Sequence, residues 1–160
     1  MLARCFSLRL GILCAVCLTS VACAETDPEI VAIEYLRATR EARSDAALGY
    51  LDLDELVERV SNDVVLVNTA GDPEAFLRES VSSMVWGLFQ ETPREDLAYD
   101  ARAAEIDGDR ATVSVTMVDA DGRQRVRNVH LRQTDSGWLV SGRSLSDLVR
   151  YVITRLEERY

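Results

Sequence analysis

The hydrophobic period of this chain changes from about 3.6 residues to 2 near Leu97, and this change restricts the folds that the chain can adopt. Before Leu97, apolar residues recur at helical spacing, most clearly over residues 76–89. After Leu97, apolar and polar residues alternate, as they do throughout residues 110–118. Helical segments followed by strands indicate an α+β fold, with N-terminal helices packed on one face of an antiparallel sheet.

Two repeated signals mark the beginnings of helices. Asp27-Pro28-Glu29 and Asp72-Pro73-Glu74 each combine a capping residue, a proline suited to the first helical position and an acid near the positive end of the helix dipole. The spacing predicts a first helix that ends near Arg43, a second stretch over 46–60 with an interruption at 49–52, and a third helix that ends before Pro93. Residues 63–68 are either a short strand or a buried connector. A final helix is predicted from Ser144 or Ser146 toward Arg159.

The second half of the chain reads as a meander of about four strands. The alternation predicts strands at 99–106, 110–118, 124–133 and 138–143. Turns at Gly108, Gly122 and Gly137 separate them at regular spacing, which is typical of antiparallel neighbours. The sequence Asp119-Ala120-Asp121-Gly122 is a hairpin turn in this interpretation, because it lacks the further ligands of a calcium loop.

The order of these elements resembles the NTF2-like (cystatin-like) superfamily, in particular its exported bacterial members of unassigned function. The resemblance covers residues 28–143. It rests on the helix that begins at Asp27-Pro28-Glu29, on the segment Leu51-Asp52-Leu53, and on the glycine turns that end in Gly137-Trp138. The long C-terminal helix departs from many members of the family. The resemblance implies a curved sheet around a cone-shaped cavity, and it implies no single function.

Residues 1–24 have the pattern of a targeting segment. Arg4 and Arg9 precede an uncharged apolar stretch, and Ala22-Cys23-Ala24 fits a signal-peptidase site. Cleavage after Ala24 would leave one domain, residues 25–160, in the periplasm or outside the cell. Ser20-Val21-Ala22-Cys23 also resembles a lipobox, so lipidation of Cys23 and anchoring at the envelope is an alternative. An uncleaved anchor is a third possibility, although the apolar stretch is short for a membrane span.

Charge and cysteine content exclude several classes of function. The chain carries a net charge of −9, and removal of residues 1–24 takes away two arginines and no acid, which leaves −11. Such a charge disfavours nucleic acid as a partner, and it disfavours a membrane unless Cys23 is lipidated. All four cysteines precede Ala24. A domain cleaved there has no thiol for nucleophilic catalysis, zinc binding or redox chemistry.

His130 is the only histidine and therefore the only imidazole that could act as a general base. Alternation places Asn128, His130 and Arg132 on one face of the third strand, Asp100 and Arg102 on one face of the first, and Arg143 on the last. If these faces coincide, His130, Asp100 and Arg143 are candidate catalytic residues, and Asn128, Arg132 and Arg102 are candidate ligand-binding residues. The alternative is that His130 faces water or has a structural role.

The remaining candidate residues have simpler interpretations. Asp52, Asp54, Glu55 and Glu58 have the spacing of a solvated helix face. Trp86 could stack on a ligand, but its neighbours along the helix favour packing in the core, and Trp138 has the same two interpretations. A single histidine disfavours a metal site, and no motif for a cofactor is present.

These patterns favour an exported, non-catalytic module of the bacterial envelope that binds a small, partly apolar molecule or a protein. The helix at 76–89 and the final helix carry more apolar surface than a small sheet needs as cover, which would suit an apolar cavity or a homodimer interface. One alternative is an NTF2-like hydrolase, dehydratase or isomerase that uses His130 or Asp100 in a polar cavity. The other is a carrier of lipid or another apolar molecule.

Overall fold

The structure is a computed structural model that describes residues 26–63 and 72–158. The predicted export segment with Cys23, and all but the first residue of the predicted strand or connector at 63–68, lie outside these residues. The elements, in chain order, are α1 (Pro28–Arg40), α2 (Ser44–Gly49), α3 (Leu53–Asp63), α4 (Pro73–Glu91), β1 (Ala98–Ala101), β2 (Glu105–Asp107), β3 (Arg110–Val118), β4 (Gln124–Thr134), β5 (Gly137–Val140), a 3₁₀ turn (Gly142–Leu145) and α5 (Ser146–Glu157).

Both Asp-Pro-Glu signals begin helices, but their aspartates act differently. The Asp72 carboxylate accepts a hydrogen bond from the Glu74 backbone N–H at 3.0 Å, as the prediction required. Asp27 makes no side-chain cap. Its backbone carbonyl accepts from the N–H groups of Ile30 and Val31 instead, so the predicted side-chain cap of α1 is wrong.

The predicted interruption between α2 and α3 is confirmed, and the sheet explains it. Leu51 forms a parallel bridge with Val140, the last residue of β5. The Asp52 N–H donates to the Val140 carbonyl at 3.0 Å, and the Val140 N–H donates to the Tyr50 carbonyl at 2.8 Å. These backbone groups pair with β5 instead of continuing the helix.

The sheet is antiparallel, and β3 lies at its centre with the order β1-β3-β4-β5. β2 also pairs with β3, directly after β1, so the predicted strand at 99–106 is divided in two. The division coincides with a shift of register, because Ala101 lies opposite Val115 and Glu105 opposite Thr112, so this segment carries one residue more than the facing part of β3. Within the division, the Ala104 N–H donates to the Glu29 carboxylate of α1 at 2.7 Å. A side chain from another element thus takes a backbone group that a continuous strand would present at its edge.

One face of the sheet forms the core together with the helices. The buried strand residues on this face are Ala111, Val113, Val115, Met117, Val129, Leu131, Trp138 and Val140. α1 contacts β1, β3, β4 and β5, and the Tyr35 and Phe89 rings of the helical layer meet edge to face at 6.4 Å. The α+β class, with N-terminal helices on a curled antiparallel sheet, is confirmed, and it is the layout that the NTF2-like resemblance implies.

The predicted extra helix at the C-terminus is confirmed as α5. Its buried residues Leu148, Val152 and Leu156 join the same core, and the helix contacts α3 and α4. α5 therefore adds to the helical layer. Across residues 26–63 and 72–158, no helix has the length and apolar character needed to cross a membrane.

Candidate functional site: the outer face of the sheet

The outer face of the sheet, defined as the face opposite the helices, holds most of the predicted site residues. The register places Asp100 beside Thr116, and Thr116 beside Val126. Cross-strand partners lie on the same face, and side chains two residues apart share a face. This face therefore carries Asp100, Arg102, Asn128, His130 and Arg132, so the strand faces whose coincidence the sequence left open do coincide.

This shared face is open. Asp100, Arg102 and Asn128 are exposed, whereas His130 and Arg132 are half-buried. The apolar alternate residues of the same strands, such as Val129 and Leu131, are the ones that lie beneath the helices. In the described part of the chain, the sheet turns its apolar side to the helices, so the candidate polar residues lie on the open side, where the sequence also allowed His130 to be.

His130 is held at one end of the outer face. Its ring Nδ1 lies 3.1 Å from the Thr112 hydroxyl of the neighbouring strand. Its backbone N–H donates to the Ser144 hydroxyl at 2.8 Å, and its carbonyl accepts from the Ser141 N–H at 2.9 Å. Burial and, secondarily, the nearby Arg143 guanidinium lower the pKa of His130 below its ordinary value of 6.5. The imidazole is therefore mainly neutral at neutral pH.

Asp100 is too far from His130 to act with it. Asp100 lies opposite Thr116 and His130 opposite Thr112, on strands that flank β3 on its two sides. Four residues along a strand and two strand spacings across the sheet separate them by about 16 Å. A general base and its orienting acid need hydrogen-bond contact, so these two residues do not form a catalytic pair.

Asn128 lies in the next cross-strand row, between His130 and the Asp100 end of the face. The Ser114 hydroxyl donates to the Asn128 side-chain oxygen at 2.7 Å. On the other side of Ser114, the Arg102 N–H donates to the Ser114 carbonyl at 3.0 Å. Two neighbouring cross-strand pairs of β3 and β4, Thr112 with His130 and Ser114 with Asn128, are thus each joined by a side-chain hydrogen bond.

Arg132 joins the outer face to α3 through a buried acid. Its Nε donates to Asp52 Oδ2 at 2.7 Å, although only 2% of Asp52 is exposed. The other carboxylate oxygen of Asp52 accepts from the Glu55 N–H at 3.1 Å and caps α3. The hydrogen bond and charge of Asp52 raise the pKa of Arg132. Arg132 is therefore held mainly for structure.

Glu55 extends this cluster to the 3₁₀ turn. Its carboxylate accepts from the Gly142 N–H, at 3.1 Å for each oxygen, and from Arg59 Nε at 2.9 Å. The prediction of a solvated acid face is wrong for Asp52 and Glu55. The sequence carried one usable signal, since Asp52 occupies the position directly before a helix, where a capping aspartate is common.

Trp86 is far from this face, and its predicted packing in the core is wrong. It lies on α4 with 42% of its surface exposed, and its Nε1–H donates to Asp45 Oδ1 of α2 at 3.0 Å. Trp138 is the buried tryptophan. Arg143 is exposed on the 3₁₀ turn. The structure thus divides the predicted site between the sheet, the turn and the helices.

Grooves also lie between the elements. A groove of about 490 Å³ separates α3 from α4 and is lined by apolar residues such as Val57 and Leu77 together with charged residues such as Glu58 and Arg78. Among the described residues, no group of three histidine, cysteine, aspartate or glutamate side chains is placed to hold a metal ion. The Asp119 carboxylate accepts from the backbone of Asp121 and Arg123, which confirms the hairpin turn.

Comparison with known proteins gives one structural likeness. No family model and no curated protein matches the chain. A crystal structure described as an NTF2-like transpeptidase from Campylobacter jejuni is 18% identical, covering 72% of this chain and 97% of the other with a TM-score of 0.47. The likeness concerns backbone arrangement alone. The chemistry of this chain has to be sought in its own residues.

Proposed function

We propose that the protein is an exported, non-catalytic binding module of the bacterial envelope, and that the outer face of its sheet contacts a protein partner. The observation that carries the proposal is the pair of cross-strand hydrogen bonds, Thr112 to His130 and Ser114 to Asn128, on a face that none of the helices within residues 26–63 and 72–158 covers. These bonds order polar side chains before any partner arrives. Ordering them in advance lowers the entropic cost of association.

An apolar residue lies on the same face as these polar pairs. Val126 is 65% exposed, two positions from Asn128 on the same strand. Protein interfaces combine such an apolar contact with hydrogen-bonding groups around it. An open sheet face suits the extended surface of a protein better than a small molecule, which is usually enclosed in a concave site.

The experiment places a photo-crosslinking amino acid at Val126 in cells that produce the full-length protein. We expect a crosslinked species of higher mass, and the same species to be lost when Asn128→Arg is added on the outer face. The matched control is crosslinking at Ile30, which is 53% exposed on α1. Equal crosslinking at both positions, or none at Val126, would contradict the proposal.

The groove between α3 and α4 supports a second candidate, the binding of a small amphipathic molecule. Its volume of about 490 Å³ lies within the range of ligand sites, and its lining combines Val57 and Leu77 with charged groups. Native mass spectrometry of the protein purified from its own envelope is the test. Bound extra mass would support this candidate, and its absence would count against it.

The enzyme alternative is weaker on geometric grounds. Asp100 and His130 share a face but lie about 16 Å apart by strand geometry, so an active site would have to use His130 without Asp100. The charged group whose proximity lowers the His130 pKa is Arg143, which disfavours the protonated imidazole. An arginine so placed does not orient a general base in the way that a carboxylate does.

A further inference from the structure

We propose that Trp86 and Asp45 form a second binding site, on the helical layer, for an arginine or lysine side chain of a partner protein. Trp86 is the exposed tryptophan of the described chain and lies where α4 contacts α2. A cation above an indole ring is attracted by the negative charge density of the ring face, and tryptophan is the best aromatic residue for this contact.

The hydrogen bond to Asp45 fixes the indole without covering it. Trp86 Nε1–H donates to Asp45 Oδ1 at 3.0 Å, and 42% of the residue remains exposed. The indole is thus held by one hydrogen bond while part of its surface stays accessible to solvent. A ring held in this way loses little entropy when a ligand stacks on it.

Asp45 supplies a charge that the protein itself does not neutralise. Within residues 26–63 and 72–158, no ion pair includes Asp45, and its side chain accepts only the Trp86 hydrogen bond. The arginine nearest in sequence, Arg43, pairs with Glu41 and Glu34. A cation on the indole face could therefore also approach the Asp45 carboxylate, and the net charge of −9 would attract it.

A peptide is the better occupant than a free small cation. The site is a single ring with one carboxylate on an exposed surface, and it lacks the aromatic cage that holds a lone quaternary ammonium. A cationic side chain carried on a peptide gains further contacts from its neighbours and from a second charge on the same chain. The site is separate from the outer face of the sheet, so either site can fail without the other.

The test titrates the full-length purified protein with hexaarginine at low salt and follows tryptophan fluorescence. We expect a saturable change of the Trp86 signal. Because Trp86→Phe removes that reporter, its binding is measured by fluorescence anisotropy of labelled hexaarginine, and we expect weaker binding than by the unmodified protein. Asp45→Asn should weaken binding by about tenfold, since a charged contact to an aromatic and acidic pair contributes on the order of one decade in affinity. Far-UV circular dichroism confirms that each variant is folded.

The matched control is Glu79→Gln, which removes an exposed acid from the same helix two turns before Trp86. We expect this variant to bind hexaarginine as the unmodified protein does. Equal weakening by Asp45→Asn and Glu79→Gln would mean general attraction to an acidic surface and would overturn the proposal. A fluorescence change that does not saturate would also overturn the proposal. So would guanidinium ion that binds as tightly as hexaarginine when the two are compared at the same concentration of positive charge.

Discussion

Removal of Arg132 should destabilise the protein more than removal of the acid with which it pairs. Asp52 is 2% exposed, whereas the Arg132 side chain is 37% exposed, so the arginine is partly in solvent and the carboxylate is not. Arg132→Leu leaves a buried carboxylate with only the Glu55 N–H as a neutralising contact. Isolating a buried charge costs about 3–5 kcal/mol, and the solvent around Arg132 reduces this to about 2–3 kcal/mol.

Asp52→Asn should cost only about 1 kcal/mol, because asparagine keeps the cap on α3 and removes the buried charge. The double variant Asp52→Asn/Arg132→Leu should therefore be more stable than Arg132→Leu alone. Urea unfolding followed by circular dichroism measures the free energy of unfolding of all three. The matched control is Arg110→Leu, because Arg110 is the exposed cross-strand neighbour of Arg132 and its loss should change stability by no more than about 0.5 kcal/mol.

Two results would refute this reasoning. If Arg132→Leu cost no more than Arg110→Leu, the Asp52 carboxylate would not depend on its partner. If the effects of Asp52→Asn and Arg132→Leu simply added in the double variant, the two residues would not be coupled. Either result would remove the claim that this ion pair fastens β4 to the beginning of α3.

Three further predictions concern titration and backbone. Because its pKa lies below 6.5, His130 should contribute to a loss of stability as the pH falls below 6.5, and Arg143→Ala should raise the pKa measured by NMR; an unchanged value would contradict the assignment. Burial raises the pKa of Tyr35 to about 12, so stability should fall as the pH rises from 10 toward 12, and Tyr35→Phe should lessen that fall in alkaline unfolding curves. In thermal unfolding, Gly87→Ala should stabilise α4 by about 0.5–1 kcal/mol, whereas Gly137→Ala, at φ +107°, should destabilise; the same sign for both would count against the backbone argument.

The helices and strands were largely predictable because their signals are local. The stripe at 76–89, the Asp-Pro-Glu starts and the turn at Gly122 each depend on residues within one element. Gly122 has φ +79°, as a glycine-favouring turn requires. The division of the first strand was not predictable, because it depends on the register with β3 and on a contact between Glu29 and Ala104, which are 75 residues apart in sequence.

The candidate site was predictable in one respect. Alternation grouped Asn128 with His130 on one strand and Asp100 with Arg102 on another, because the side to which a strand residue points is fixed by backbone geometry. That the two strand faces coincide follows from the register of the sheet, which the sequence left open. Parity does not reveal which face the helices cover. That choice depends on the summed apolar area of Val113, Val115, Leu131 and their neighbours, which favours burying the other face.

The burial of Asp52 and the exposure of Trp86 could not be predicted from the sequence for a related reason. Asp52 is buried because Arg132, 80 residues later, meets it. Trp86 is exposed because Asp45 of another helix binds its ring nitrogen at the surface. Neither partner is visible in the spacing of residues around the position itself, so a helical periodicity assigned both incorrectly.

The pairing of Leu51 with β5 has a consequence for self-association. The Val140 N–H and carbonyl are already bonded to Tyr50 and Asp52, so an incoming strand cannot pair with this end of the β5 edge. A fibre that grows by pairing of sheet edges requires two unpaired edges on every molecule, one for each of its two neighbours. In the part of the chain that the structure describes, a second molecule could therefore pair with the edge strand β1 but not with Val140, and association through one edge alone gives a dimer and not a fibre.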